Sequence, residues 1–593
     1  MEADRHSFGI RHSPPEEWSR RIPVLTPREP AQFRKKLESP KDDELLAQQD
    51  PSLSNPADFT FYRESLSLPW SVDGGRLTVL TADASPANAA RMAAHYGQAL
   101  RLHAVSKQTF WNALAARFHA HLLDSAVQDL ARRYPEFSAQ RVITRGQVCI
   151  LIAIPALLVL ALYAMPVAAN AALLSVLTLG YLANVFFRAV LVWLGAVPIA
   201  RPGSPPCDED RDLPLYSIIV PLHREAQVVP ALVGALEVLD YPVDRLEIAL
   251  VLEADDIETI AAVRAQSLDD RFIVLEVPCG GPRTKPKAAN YALGFLSGAF
   301  TVIYDAEDRP EPDQLRKALA AFRAAPQDVV CLQARLNFYN ARENWLTRMF
   351  ALDYALWFDF LLPGLDRLGV PMPLGGTSNH FRTGSLRAIA GWDAYNVTED
   401  ADLGIRLARL GLRVNTLDST TYEEAPVDLG NWLRQRSRWM KGYMQTWLVH
   451  MRNPARLLRH AGVSGFLGFQ LFVGGTFLTA LLNPLMWAVF LYSLLFGSVP
   501  YAGFLSVPSA GLPLLGLVVG NVLFTYLAML GPYRRGWLDL TPQGFTAPVY
   551  WTLISAASYR GLWHLFVKPW HWEKTHHGRS RQPPIRAASG GGP

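Results

Sequence analysis

Apolar and polar positions divide this chain into membrane-like runs, a long alternating region and polar ends. No charged residue interrupts Gly146 to Phe187, or Ala461 to Tyr533. A helix needs roughly 20 apolar residues to cross a bilayer. The first run therefore predicts two crossings within 146–197, broken at Pro166 to Asn170. The second predicts about three within 461–533, broken at Asn483-Pro484 and around Gly503 to Pro513. Residues 545–572 place Tyr550, Trp551, Tyr559, Trp563, Trp570 and Trp572 beside Arg560 and Lys568. That dressing fits an interfacial helix, with a further crossing as the alternative.

Between the runs, residues 214–450 alternate short strand signals with helical periodicity. Strands are expected at Tyr216–Leu222, Glu247–Leu252, Phe272–Val277, Phe300–Tyr304 and Val329–Gln333. Helices are expected at Val228–Leu239, Ile257–Ala265, Lys287–Leu296 and Pro312–Phe322. Such alternation implies βαβ units and a mainly parallel sheet covered on both faces. Residues 56–140 form a smaller α/β unit, with strands from Arg76 and Leu102 and helices Ser85–Leu100 and Gln108–Leu122. Residues 1–55 and 579–593 lack periodicity and are expected as a flexible tail and a disordered tail. Pro-rich residues 201–213 read as a linker.

Composition narrows the class. Half the residues are hydrophobic and 19% are charged, low for a soluble protein. A net charge of +4 without a basic block speaks against nucleic acid. Four scattered cysteines show no CxxC spacing, so neither zinc nor a disulfide framework is implied. The first residues have no apolar core of signal-peptide type. Arg132, Arg133, Arg141 and Arg145 precede the first crossing, and Lys568, Lys574, Arg579, Arg581 and Arg586 close the chain. Both flanks are thus expected inside, with Arg534 and Arg535 pulling another loop the same way. The expectation is a multi-pass inner-membrane protein with its large domain in the cytoplasm.

Ligands of parallel sheets sit at the carboxyl ends of the strands, and the acidic groups gather there. Glu225 follows the first strand, Glu253, Asp255 and Asp256 the second, and Asp305, Glu307 and Asp308 the fourth. Asp305 and Glu307 are placed to share a hard divalent cation, which prefers oxygen ligands and often bridges to phosphates. Read alone, an acidic cluster after a strand is most often a solvated turn. Thr398-Glu399-Asp400 offers a general base, or simply a helix start with Thr398 as N-cap and acids in the first turn. Gln435-x-x-Arg438-Trp439 places amide, guanidinium and indole on one helical face. An amphipathic helix with Trp432, Trp439, Tyr443 and Trp447 as a packing stripe is the plainer alternative.

Taken in order, these segments resemble the membrane-embedded inverting glycosyltransferases of family 2, the cellulose-synthase-like and hyaluronan-synthase-like group. The resemblance rests on Val220-Pro-Leu-His-Arg-Glu225, Glu253-Ala-Asp-Asp256, Lys285-Pro-Lys-Ala-Ala-Asn290, Asp305-Ala-Glu307, Gly375-Gly-Thr-Ser-Asn379, Thr398-Glu-Asp400 and Gln435-x-x-Arg-Trp439. It implies a GT-A catalytic domain, a Rossmann-like mixed sheet, inserted between transmembrane helices. It also implies a donor site of Pro221, Glu225, Glu253, Asp255, Asp256, Lys287, Asp305, Gly376 and Thr377. Asp305 and Glu307 would hold Mg²⁺ or Mn²⁺, and Asp400 would act as base with Glu399 beside it. Gln435, Arg438 and Trp439 would close over diphosphate and acceptor. Glu307 stands where the family usually has Asp. Glu253-Ala-Asp-Asp256 replaces the usual Asp-Asp-Gly and is closer to the ceramide glucosyltransferase pattern.

The small domain at 56–140 resembles the N-terminal domain of type II secretion and pilus-assembly ATPases. It lacks the Arg-Leu-Gly-x-x-Leu pattern by which some of those bind cyclic di-GMP, so a docking role toward an export or regulatory protein is the expectation. The resemblance leaves three activities in view. One is extension of an exopolysaccharide from a nucleotide sugar, which the motif set favours. The second is transfer of a single sugar to a lipid, and the third a non-catalytic membrane scaffold, which would predict lost carboxylates.

Overall fold

The computed structural model describes residues 49–97, 100–197, 212–496, 508–575 and 578–581. Most of the expected N-terminal tail, the linker at 201–211 and residues 582–593 lie outside the described residues. The chain opens with α1 (Phe59–Glu64), β1 (Ser67–Asp73), β2 (Arg76–Thr81), α2 (Pro86–Tyr96), β3 (Leu100–Ala104) and α3 (Lys107–Arg133). Ser85 and Ser106 cap α2 and α3 by accepting from Asn88 N and Thr109 N. The strands form a three-stranded sheet in which β2 pairs antiparallel with β1 and parallel with β3. Strand β1 carries no clean two-residue alternation, which is why the sequence pattern passed over it.

Two long apolar helices follow, α4 (Arg145–Ala164) and α5 (Pro166–Ala196), parted at Pro166 as expected. The next segment contains β4 (Tyr216–Leu222), α6 (Val229–Glu237), β5 (Leu246–Glu253), α7 (Ile257–Arg264), β6 (Phe272–Val277), α8 (Lys285–Phe295), β7 (Phe300–Ile303), β8 (Arg309–Pro310), α9 (Gln314–Ala324) and β9 (Val329–Phe338). Then come α10 (Trp345–Leu356), α11 (Leu362–Leu368), β10 (Asn379–Arg382), α12 (Thr383–Ala388), α13 (Glu399–Arg409), β11 (Arg413–Glu423) and α14 (Leu429–His450). Their eight strands form one mixed sheet in the order β6-β5-β4-β7-β10-β9-β11-β8. Strands β6, β5, β4 and β7 run parallel; β10 is inserted antiparallel between β7 and β9. A parallel, Rossmann-like half is thus joined to a mixed half, the arrangement that the resemblance to GT-A domains implied. β5 is buried along its whole length, as a strand covered on both faces must be.

Helices α6, α7 and α9 pack on one face of this sheet through Leu232, Leu236, Ile260, Val263, Leu315 and Phe322. The opposite face is covered by α8 and, beyond it, by α3 of the N-terminal unit. Phe110, Trp111, Leu114 and Phe118 share one core with Ala249, Val251, Ala292 and Phe295. A Cβ on Gly294 would stand 2.9 Å from Leu122 Cδ2, so α3 approaches α8 closely there. Polar ties reinforce the contact: Gln108 Nε2 donates to Val274 O at 2.8 Å and Gln108 Oε1 accepts from Val274 N at 2.9 Å. The N-terminal unit is built into the large domain, where the sequence pattern read it as a separate unit.

The C-terminal region comprises α15 (Pro454–Phe469), α16 (Gly475–Phe496), α17 (Pro508–Arg534) and α18 (Ala547–Val567). Three stretches among the described residues are long and apolar enough to cross a membrane: Arg145–Ala164, Pro166–Ala196 and Pro454–Ala488. α17 adds 27 residues of apolar helix. Among the described residues, 461–533 holds the end of α15 and the long helices α16 and α17, and part of the stretch expected to hold about three crossings lies outside the described residues. Pro484 lies inside α16 instead of breaking it, as apolar helices tolerate proline when neighbours satisfy the freed carbonyl. Arg534 and Arg535 bend back to the large domain: Arg535 pairs with both oxygens of Asp359 at 2.5 and 2.7 Å. α18 runs along α14, with Tyr550 Oη accepting from Arg436 Nη2 at 2.8 Å near one end and Lys568 O accepting from Lys441 Nζ at 3.1 Å at the other.

Candidate functional site

A cavity of about 1230 Å³ opens between the carboxyl ends of the strands and helices α5, α14, α16, α17 and α18. Its first wall is the end of β7, where the chain turns through Asp305-Ala-Glu307-Asp308. Asp308 braces this turn: its carboxylate accepts from Asp305 N at 2.7 Å and from the Thr377 hydroxyl. Asp305 and Glu307 both line the cavity. Lys285, at the start of α8, pairs with Asp305 and donates to Gly376 O at 2.6 Å. Burial pulls the lysine pKa down, but Asp305, Glu399 and Asp400 outweigh it and hold the lysine above its usual value.

Burial, then repulsion from Asp305 and Glu225, pushes the Glu307 pKa far above the ordinary carboxylate range. Asp308 is raised by burial and by Asp305 and Glu307. Glu423, at the end of β11, is raised by burial and by Asp308, Glu307 and Asp305. Asp308 Oδ1 and Glu423 Oε1 are buried without a hydrogen-bond partner. A crowd of carboxylates under such mutual strain fits a positive ion, and a donor set made only of oxygen fits Mg²⁺ or Mn²⁺. Among the described residues no three acidic, His or Cys side chains converge at ligand spacing. Asp305 and Glu307, which line the cavity, would hold such an ion, with water and substrate phosphate as further ligands.

The facing wall is the N-terminus of α13. Thr398 occupies the cap position, but its hydroxyl makes no cap bond. That corrects the N-cap expectation: the Thr398 side chain packs on α14, where a Cβ on Gly442 would meet its Oγ1 at 2.2 Å. Asp400 Oδ1 accepts from Ala401 N at 2.6 Å, and a Cβ on Gly376 would lie 3.2 Å from Asp400 Oδ2. The absence of a side chain at Gly376 leaves that oxygen open to the cavity. Burial and the Asp400 charge raise Glu399 to about 8. Burial also raises Asp400, opposed by the Ala401 hydrogen bond, Lys285 and Arg438.

Helix α14 contributes Gln435, Arg438 and Trp439, all lining the cavity on one face. Arg438 Nη1 donates to Val397 O at 3.3 Å, and its guanidinium lies 4.2 Å over the Trp572 ring. Gln435 Oε1 is buried without a partner. Trp439 meets Tyr354 in a stacked pair at 6.1 Å and Phe350 edge-on at 5.8 Å, so packing accounts for part of its surface. Arg436 also lines the cavity, paired there with Asp353.

Other sequence candidates divide. Pro221, Glu225, Glu253 and Thr377 line the cavity. Lys287 does not: its buried ammonium holds Glu253 at 2.9 Å and Gly280 O at 3.3 Å. The lysine facing the cavity is Lys285, two positions earlier. Asp256 caps α7 by accepting from Thr259 N at 3.3 Å, and Asp255 pairs with Arg283 at 2.8 Å. Neither Asp255 nor Asp256 reaches the cavity lining.

Sequence reasoning missed the segment after α18. Trp570 to Thr575 and Arg579 line the cavity. Lys574 pairs with Glu225 at 2.9 Å and donates to Arg224 O at 2.8 Å. Gly578 N, Arg579 N and Ser580 N donate to the Glu424 carboxylate at 2.6 to 2.9 Å. Residues 579–581, expected as the start of a disordered tail, are thus hydrogen-bonded beside the site. The one available signal was Lys574 within an aromatic and basic run.

With this geometry in view, the comparisons become informative. Residues 300–528, from β7 into α17, match the family model described as glycosyl transferase family group 2. Over that span, which is less than half of the chain, the sequence is similar to that family. It is 26% identical over 235 residues to the probable glycosyltransferase YdaM of Bacillus subtilis, covering 39% of this chain and 56% of the relative. It is 26% identical over 284 residues to the beta-monoglucosyldiacylglycerol synthase of Trichormus variabilis, covering 46% and 59%. The glucomannan 4-beta-mannosyltransferase 1 of Oryza sativa is 25% identical over 248 residues, covering 40% and 47%. The chain thus spans about half the length of the curated relatives it matches. Among solved structures, a Pyrobaculum calidifontis mannosyltransferase in complex with GDP-Man and Mn²⁺ aligns with a TM-score of 0.42 and 20% identity, over 67% of this chain and 99% of that one.

Proposed function

We propose that this protein is a metal-assisted glycosyltransferase. It moves a sugar from a nucleotide diphosphate sugar, in our reading a UDP-sugar, to a hydroxyl-bearing acceptor, with inversion at the anomeric carbon. One observation carries the reading. A single cavity holds strand-end carboxylates Asp305 and Glu307 on one wall and Asp400 with Arg438 on the facing wall. Lys285 feels the charges of both walls.

In the proposed reaction the acceptor oxygen attacks the anomeric carbon as its proton passes to Asp400. The bond from that carbon to the diphosphate oxygen breaks, and the nucleoside diphosphate leaves with the electron pair. Base catalysis of this kind typically contributes about 10²–10⁴-fold. Arg438 and Lys285 stand to offset charge on the leaving group within a buried site, where such charges interact strongly. A divalent cation held by Asp305 and Glu307 would supply further charge neutralisation at the diphosphate. Trp572 and Lys574 form a roof that excludes water from the donor.

In our reading α4, α5, α16 and α17 cross the bacterial inner membrane, with the sheet and both flanking loops in the cytoplasm. Arg534 donating to Gly195 O at 2.8 Å, where α5 returns, places those two helix ends together. The N-terminal unit is proposed as the face that meets an export or regulatory protein. A non-catalytic scaffold is disfavoured by the complete set of Asp305, Glu307, Asp400, Lys285 and Arg438. The acceptor is a growing exopolysaccharide or a lipid. The named relatives include a beta-monoglucosyldiacylglycerol synthase and a glucomannan 4-beta-mannosyltransferase.

Calorimetry with UDP and Mn²⁺ tests the donor half. Asp305→Ala should lose most of the metal-dependent UDP affinity, and unchanged metal dependence would refute the assignment.

A further inference from the structure

The membrane-side half of the cavity gathers polar side chains among apolar neighbours such as Phe524 and Ile554. Asn184 and Arg188 of α5, Thr476 and Asn483 of α16, Asn521 of α17 and Ser555 of α18 line it. Ionisable side chains on membrane helices are rare and usually face a cavity or a functional partner. The Arg188 guanidinium is fixed there by Nε donating to Asn184 Oδ1 at 3.2 Å and Nη2 donating to Thr476 Oγ1 at 2.8 Å. It also lies 5.5 Å from the Phe472 ring centre. Asn483 Oδ1 is buried without a hydrogen-bond partner.

A second cavity of about 300 Å³ shares Asn483, Asn521 and Ser555 with the first. From those shared residues it continues between α16 and α18, and its lining turns apolar at Pro484, Ala488 and Leu491. It reaches the outer apolar surface, where Leu491 is 49% exposed and Thr552 and Pro548 are exposed. The path therefore changes from polar to apolar within about two turns of α16 and opens sideways, toward where acyl chains would lie. A glycan leaving this way would give up water without gaining partners, at a cost of kilocalories for each unpaired hydroxyl. An amphiphile matches the gradient at both ends.

We infer that this seam is a lateral portal, and that the acceptor is a membrane lipid bearing a free hydroxyl. Its head group would lie among Arg188, Asn184 and Thr476 with the hydroxyl toward Asp400, and its chains would lie between α16 and α18. The inference rests on the transferase reading above and names its acceptor class. No oxidant or second cofactor enters: one lipid O–H and one sugar–diphosphate bond are exchanged for a sugar–lipid bond and a nucleoside diphosphate.

The test uses full-length protein in phosphatidylcholine nanodiscs, whose lipid has no free hydroxyl. Diacylglycerol or phosphatidylglycerol is added in separate arms, with a panel of radiolabelled UDP-sugars and GDP-mannose. Label should enter the organic phase only in a hydroxyl-lipid arm, with the mass of lipid plus one sugar. The diacylglycerol and phosphatidylglycerol arms separate a neutral from an anionic head group at Arg188. Ala488→Trp and Leu491→Trp, which fill the groove outside the donor site, should lower organic-phase label by about tenfold or more while UDP affinity and the thermal midpoint hold. Should both variants misfold, a photoreactive diacylglycerol on the wild-type protein should attach within 483–491 or 548–555. Water-soluble polymer independent of the lipid arm overturns the inference. So does organic-phase label indifferent to both variants, attachment elsewhere, or no transfer in any arm despite UDP binding. Failure of the wild type to bind any donor nucleotide would instead remove the transferase reading beneath it.

Discussion

Glu399 and Asp400 stand side by side at the start of α13, so the two carboxyls titrate as a pair. Burial first, and their mutual charge second, lifts Glu399 to about 8; Asp400 is raised by burial. Asp400 works as a base only when unprotonated. Transfer should therefore rise with pH along a limb displaced upward from the ordinary carboxylate range, because burial raises Asp400. Lys285 lowers both groups. Lys285→Met should move the rising limb to higher pH as well as slow transfer, and a limb that stays put or moves down would contradict the coupling. Lys287→Met should act differently. It leaves buried Glu253 without its cation, a loss of roughly 3–5 kcal/mol for a buried pair, so the thermal midpoint should drop where Lys285→Met spares it. The sequence motif contained both lysines but did not say which faces the cavity. Positions two apart on a helix point to different sides, and only the packing of α8 decides between them.

Elements differ in how far their sequence announced them. Strands β4 to β7 and helices α6 to α9 follow the alternation closely because each buries a continuous apolar face. β10 and β11 were not legible. The first is four residues long, and the second, RVNTLDSTTYE, is largely polar because it runs where Glu423 and its neighbours approach the site. The segment beside the cavity was invisible for another reason: residues 570–575 and 578–581 have no repeat, and they make distant contacts to Glu225, Glu424 and Arg438. Trp572→Ala should free Arg438 and lower turnover more than it changes donor affinity. Comparing kcat for transfer with UDP affinity checks this. Equal loss in both would assign Trp572 to donor binding alone. Trp439→Ala should lower the thermal midpoint along with transfer, since Tyr354, Phe350 and Arg436 all pack on that ring.

At the scale of the whole molecule, the hydrophobic core crosses the boundary that composition implied. Phe110, Trp111 and Leu122 of α3 cover Ala292 and Phe295 of α8, the helix that begins with Lys285. Asn290 ties the same helix to Ala126 O at 2.9 Å and to Trp392 O at 2.8 Å, in the loop leading to Asp400. Removing residues 1–140 should accordingly expose a core face and yield aggregated or heat-labile protein, as size-exclusion profiles and thermal midpoints would register. A monodisperse truncation with full transfer activity would show that the shared core is dispensable. The membrane-like runs were legible from absence of charge; the path between them was not, because Asn483, Asn521 and Ser555 are isolated polar residues whose convergence is purely tertiary. The central claim, that Asp400 takes the acceptor proton in this cavity, is tested most directly by Asp400→Asn in the full-length protein. The substitution preserves shape and removes the base. With UDP affinity preserved, transfer of labelled sugar should fall by about 10²-fold or more; turnover kept within about threefold of wild type would contradict the account.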